Sequence, residues 1–183
     1  MERIIVGTIW WRIHRAEHEP LRFGPSPGTV PHHRFDAPAG EYRVAYVGGT
    51  REASFAEVLL REPDVDYIAM DEIRARRLTR IRVRRAMAIV ALHGPGLVRA
   101  GISAAATTGD DDPRSRQMAH RIWARPEHPD GVTYRARHDD GEMSVALFDR
   151  AADAIEVVES VPLDDDPPWL ASLAIRYGVE FIP

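Results

Sequence analysis

The sequence predicts an α/β fold of the α+β kind: one compact domain over residues 1–183, with a mixed, mostly antiparallel sheet at its core and helices packed outside. Three observations predict it. Short apolar or alternating runs recur along the chain between turn residues. Asp139-Asp140-Gly141, flanked by two such runs, is the strongest hairpin signal and implies neighbouring antiparallel strands. Helix-period stripes opened by capping residues sit between the strands.

Taken in order, Ile4-Ile5-Val6 and Ile9-Trp10-Trp11 suggest a first strand that runs into Arg12-Ile13-His14, with the Arg12 guanidinium where the apolar stretch ends. Residues 21–31, rich in Gly and Pro, predict an irregular loop of the kind that borders sites. Pro38-Ala39-Gly40 turns the chain into a strand ending at Tyr46, and Gly48-Gly49 turns it again. Thr50 then caps a helix over 51–61. Beyond Pro63 a short helix is expected over 71–77, then strands over 78–84 and 87–92, the first with an arginine-studded outer face suited to solvation. Residues 97–100 read as one helical turn before a small-residue loop at 104–109. Asp112-Pro113 starts a helix whose Met118, Ala119, Ile122 and Trp123 stripe is core packing. The hairpin strands cover 132–138 and 143–148, with Tyr134, Ala136 and His138 on one face and Arg135 and Arg137 on the other. A strand over 155–161 precedes Asp166, which caps a helix opened by Pro167-Pro168 and closed at Gly178, docked by Trp169, Leu173, Ala174 and Tyr177. Residues 179–182 form a last edge strand.

Bulk properties narrow the function. A formal net charge of -4 with no long basic run argues against nucleic acid as a main partner. The absence of cysteine removes disulfides, thiolate metal sites and a cysteine nucleophile. Every basic residue is arginine, so Schiff-base and P-loop lysine chemistry are ruled out and an anion site must use guanidinium forks or backbone amides. No apolar run approaches the ~20 residues of a membrane helix, and the N-terminal run is too short for a signal segment. A cytoplasmic protein without membrane contact is expected. His14 and His18 share helix-like spacing and His32-His33 are adjacent, but neither pair has the context of a metal centre, and no metal is expected. Rossmann and hydrolase-elbow motifs are missing.

On the wheel of the 51–61 helix, Ala53, Phe55, Ala56, Leu59 and Leu60 make an apolar arc with Glu57 at its margin. A half-buried carboxylate must find a cation, find donors or take up a proton, so Glu57 needs a partner from elsewhere. Arg12, Arg34, Tyr46, Glu57 and Tyr134 together suit a ligand bearing a pyrophosphate: guanidiniums clamp the diphosphate, an aromatic ring stacks on a heterocycle, and a carboxylate stabilises an oxocarbenium-like ribosyl centre. An ordinary structural domain with a buried ion network is the rival reading.

Ordered blocks through most of the chain resemble the RES-domain family, named for an Arg, a Glu and a Ser. They are Trp11-Arg12-Ile13-His14, Arg34-Phe35-Asp36-x-Pro38-x-Gly40-Glu41-Tyr42, Tyr46 and Phe55-Ala56-Glu57-x-Leu59-Leu60-Arg61. They resume at Thr108-Gly109-Asp110, Gln117-x-x-x-x-Ile122-Trp123, the run from His128 through Tyr134, Arg135 and Arg137 to Asp139, and the run from Val145 to Arg150. The resemblance implies a fold like that of the ADP-ribosyltransferase toxins and a bacterial toxin that acts on NAD. It also implies an Xre-like antitoxin partner that occludes the pocket. It casts Glu57 as the key carboxylate, with Arg12 and Arg34 on the NAD phosphates or ribose and Tyr46 on the nicotinamide side. Tyr134, Ala136 and Arg137 complete the NAD site. The family's serine, expected between Arg135 and Arg137, is Ala136 here. The expectation is cleavage of the nicotinamide N-glycosidic bond by a glycohydrolase or phosphorylase. The alternatives are a mono-ADP-ribosyltransferase acting on a protein, or a weakly catalytic NAD- or antitoxin-binding module. Self-association stays open.

Overall fold

The computed structural model describes residues 1–26, 28–60, 66–102 and 113–183. The expected helix end at Arg61, Pro63, the loop at 104–109, the block Thr108-Gly109-Asp110 and the cap Asp112 lie outside the described residues. The chain opens with strands β1 (Glu2–Ile4), β2 (Ile9–Arg15) and β3 (Val44–Gly48), followed by helix α1 (Arg51–Leu59). Next come β4 (Tyr67–Ala69), α2 (Met70–Arg74), β5 (Arg76–Val83), β6 (Met87–Ala91), α3 (Pro95–Ala100) and α4 (Pro113–Trp123). The last part holds β7 (Gly131–Ala136), β8 (Asp139–Phe148), β9 (Ile155–Pro162), α5 (Pro167–Tyr177) and β10 (Glu180–Ile182).

Among the described residues, eight strands form one sheet in the order β1-β6-β7-β8-β3-β2-β5-β9, in which only β6 and β7 run parallel. β10 and β4 make a separate parallel pair. The fold is therefore the mixed, mostly antiparallel α/β arrangement that the sequence predicts. Three apolar clusters hold the layers together. One packs Met118, Ala119 and Ile122 of α4 on Val132, Phe148 and Tyr42. A second gathers Trp10, Val47, Ile81, Met87 and Leu147. The third sets Phe55 of α1 against Trp169, Leu170 and Leu173 of α5.

Three local expectations change. The N-terminal stretch is two strands, broken at Gly7, whose φ of 91° suits a residue without a Cβ. They part company: β1 pairs with β6, whereas β2 pairs with β3 and β5. Arg12 thus lies inside β2, not at a strand end. The β7–β8 turn falls at Arg137-His138, Asp139-Asp140-Gly141 belongs to β8, and the pairing register slips at Arg135 and Ala136 of β7. The arginine face of β5 is only partly solvated, because Arg80 and Arg82 reach Glu159 and Glu156 across the β5–β9 ladder. Among the described residues, no helix is long and apolar enough to cross a membrane.

Candidate active site

Four neighbouring strands at the middle of the sheet, β7, β8, β3 and β2, supply the floor of the site, and α1 lies across them. Thr50 starts that helix: its Oγ1 accepts the Ala53 N–H at 2.9 Å and donates to Glu142 at 2.5 Å. The first turn of α1 comes so close to β3 that a Cβ on Gly48 would stand 2.5 Å from Ser54 Oγ, which itself donates to the Trp11 carbonyl. Glycine at 48 therefore permits the approach that brings Glu57 over the sheet.

Glu57 finds the partner its position demands. Arg34 Nη2 donates to both carboxylate oxygens, at 3.2 and 3.0 Å, with side-chain exposures of 10% for Arg34 and 20% for Glu57. The backbone N–H of Arg137 donates to Glu57 Oε1 at 2.7 Å, which explains why Arg137 leaves the strand ladder. The Arg34 guanidinium lies 4.8 Å above the Tyr134 ring, so cation–π contact and ion pair act on one group. Burial first, and then the Glu57 charge, raise the Tyr134 phenol well above its ordinary pKa, keeping it neutral.

The segment carrying Arg34 is tied down by Asp36, a buried carboxylate. Its Oδ2 accepts the N–H groups of His32 and His33, both at 2.9 Å, and its Oδ1 accepts the Tyr46 hydroxyl at 3.0 Å. Tyr46 also accepts the Phe35 N–H, and its phenol is raised by burial and by Asp36. Arg116 of α4 braces the same segment from behind by donating to the carbonyls of His33 and Pro31.

Arg12, Tyr46, Glu57 and Tyr134 line one cavity of about 30 Å³ together with Ser144. Arg12 reaches it as a desolvated guanidinium whose pKa falls to about 10, first from burial and then from the neighbouring Arg22 charge. It donates to the Arg22 carbonyl at 2.9 Å. Ala136 is buried in β7 and adds no polar group to the cavity lining. The structure thus gathers the expected Arg34, Glu57, Tyr134 and the Arg137 amide directly, and Arg12 and Tyr46 through the cavity wall. Asp36 and Ser144 escaped sequence reasoning, although Asp36 lies in the quoted Arg34-Phe35-Asp36 block; a lone strand serine carries no signal. A wider hollow of about 340 Å³ lies along the loop, lined by Val30, Pro38, Tyr42, Arg43 and Asp149. Its Arg43 and Asp149 pair with each other at 3.4 Å. No group of three or more potential metal ligands occurs among the described residues.

A protein of Sinorhizobium fredii named "Probable toxin y4kH" is 26% identical over 115 residues, spanning 63% of this chain and 90% of its own. The crystal structure of the M. tuberculosis MbcT-MbcA toxin-antitoxin complex contains a chain that superposes with a TM-score of 0.72 at 20% identity, covering 94% of this chain and 92% of that one; this likeness is one of fold. The RES domain matches residues 9–170, from the strand that carries Arg12 to the helix that packs on α1, and the chain belongs to the RES domain family.

Proposed function

We propose that this protein cleaves the nicotinamide N-glycosidic bond of NAD and is the toxin of a toxin–antitoxin pair. One observation carries the reading: a carboxylate held by Arg34 and the Arg137 amide faces a cavity that also receives Arg12, a desolvated guanidinium. Arg12 has no carboxylate partner among the described residues, and a diphosphate would supply the missing charge.

In the proposed reaction the bond between ribose C1′ and the pyridinium nitrogen breaks, its electrons stay on nitrogen, and nicotinamide leaves neutral. Glu57 stabilises the oxocarbenium-like ribose that forms. Water attacking C1′ then yields ADP-ribose and a proton, whereas inorganic phosphate yields the 1-phosphate of ADP-ribose. A cavity of about 30 Å³ is far below the ~300 Å³ or more of a ligand pocket, so the Arg34 segment must draw back from Glu57 as the dinucleotide enters. Burial of His138, with the Arg137 charge beside it, favours a neutral imidazole near the carboxylate.

Transfer of ADP-ribose to a protein side chain would use the same residues. Ala136, at the position where the family carries its serine, favours a second reading as a binding module with little turnover. The structural neighbour's place in a toxin–antitoxin complex supports an antitoxin that covers the cleft, and the family resemblance suggests an Xre-like one. The test is to induce the chain in a bacterium and follow cellular NAD and labelled ADP-ribose. Loss of NAD with free ADP-ribose or its 1-phosphate supports cleavage. Label on protein supports transfer, and constant NAD refutes both.

A further inference from the structure

The cavity beneath Glu57 holds one polar side chain that neither the mechanism nor the fold uses. Ser144 is 1% exposed, and its Oγ has no hydrogen-bond partner. Buried hydroxyls are nearly always satisfied, so an orphan of this kind points to a partner that arrives from outside the chain. Ser144 stands on β8 level with Tyr134 of β7 on one side and Gly48 of β3 on the other, so these positions share the face of the sheet that looks at α1. Gly48 has no side chain to cover it. The Tyr134 phenol is its polar neighbour: a weak contact with the hydroxyl lowers the phenol's pKa against the larger effect of burial, but it falls short of full hydrogen-bond geometry and leaves Oγ able to take a ligand.

Depth decides which part of a ligand reaches it. Glu57 is half-buried, whereas Tyr134 and Ser144 are fully buried, so a ligand entering from solvent meets the carboxylate first and the serine last. If Glu57 faces the ribose, the base lies further in, flanked by Tyr46 and Tyr134, with its amide substituent toward the floor.

We propose that Ser144 is a specificity-determining residue whose hydroxyl hydrogen-bonds the carboxamide of the nicotinamide ring. This rests on the NAD reading above. A hydroxyl can both accept from the amide N–H₂ and donate to its oxygen, whereas toward a carboxylate it can only donate, so its accepting role is what favours the carboxamide.

The test uses the purified full chain, NAD, and the analogue whose ring bears a carboxylate in place of the carboxamide. For wild type, Ser144→Ala and Ser144→Cys, KM and kcat for both dinucleotides are measured together with Tm. The expected result is a KM for NAD raised about three- to tenfold in both variants, a narrower preference for NAD over the analogue, and an unchanged or higher Tm because an unsatisfied hydroxyl has gone. Unchanged NAD kinetics would overturn the proposal, as would a lower Tm with equal loss on both dinucleotides, and either outcome leaves the NAD reading standing. A wild-type protein that neither binds nor cleaves NAD would overturn both, so the two failures are told apart.

Discussion

Arg12 and Glu57 are half-buried charges with opposite fates. Glu57 is satisfied inside the fold, by one guanidinium and one amide. Arg12 donates to a carbonyl and sits beside another arginine, an arrangement that burial and repulsion both oppose. Groups kept at a cost to folding are characteristic of binding sites. Arg12→Met should therefore leave Tm unchanged or raise it while weakening NAD binding by about tenfold or more, a loss of roughly 1.4 kcal/mol. Calorimetric titration beside a melting curve checks both, and a large fall in Tm would mark Arg12 as a structural residue. His14 gives a pH signature of its own. Its Nδ1 faces the Arg15 carbonyl at 2.9 Å, so that nitrogen carries the proton and Nε2 accepts from Thr79 Oγ1 at 2.8 Å. Desolvation, and then nearby cations, lower its pKa below the ordinary 6.5. The unfolded chain therefore takes up the proton first as pH falls, and the stability from neutral His14 is present above about pH 6.5 and lost below it. Tm followed from pH 8 to pH 5 should fall on the acid side, and His14→Gln should flatten that fall.

At the scale of elements, α1 depends on fit at its first turn. Gly48→Ala would push a methyl onto Ser54 Oγ and its backbone nitrogen, at 2.5 and 2.6 Å, and so lift the helix and the Glu57 it carries. The expectation is a loss of about 1–3 kcal/mol in stability, of the kind overpacking causes, with a larger proportional loss of NAD cleavage. Denaturant midpoints and activity on the folded fraction measure the two separately. This element was legible in advance because its signals are local: Thr50 caps it, and the arc around Phe55 left Glu57 at a margin where a partner had to exist. The cap of α5 was legible for the same reason, Asp166 accepting the Trp169 N–H at 3.0 Å. The hairpin turn was not. Asp139-Asp140-Gly141 has the stronger turn chemistry, but Arg176 and Tyr177 hold Asp139 at 2.7 and 2.9 Å while Glu57 takes the Arg137 amide. Those bonds come from residues some 40 to 80 positions away, and no local window contains them.

Across the whole molecule, strand order converts scattered letters into a site. β2 and β3 lie far from β7 and β8 in sequence yet beside them in the sheet, which sets Arg12, Tyr46, Ser144 and Tyr134 side by side under α1. Sequence alone could nominate four of the wall residues by type but could not order the strands, so the cavity and its serine stayed invisible. The same layout leaves the edge strands β1 and β9 away from the chemistry. Among the described residues Glu57 is the one acidic group of that cavity wall, and the proposed chemistry turns on its carboxylate. The most direct measurement is the rate of nicotinamide release from NAD by the purified protein, compared between wild type and a Glu57→Gln variant of matched Tm. Steady release that falls by about a hundredfold or more in the variant is the predicted result, the size expected when a group that stabilises transition-state charge is removed. Equal rates in the two proteins, or no release from a folded wild type, would contradict it.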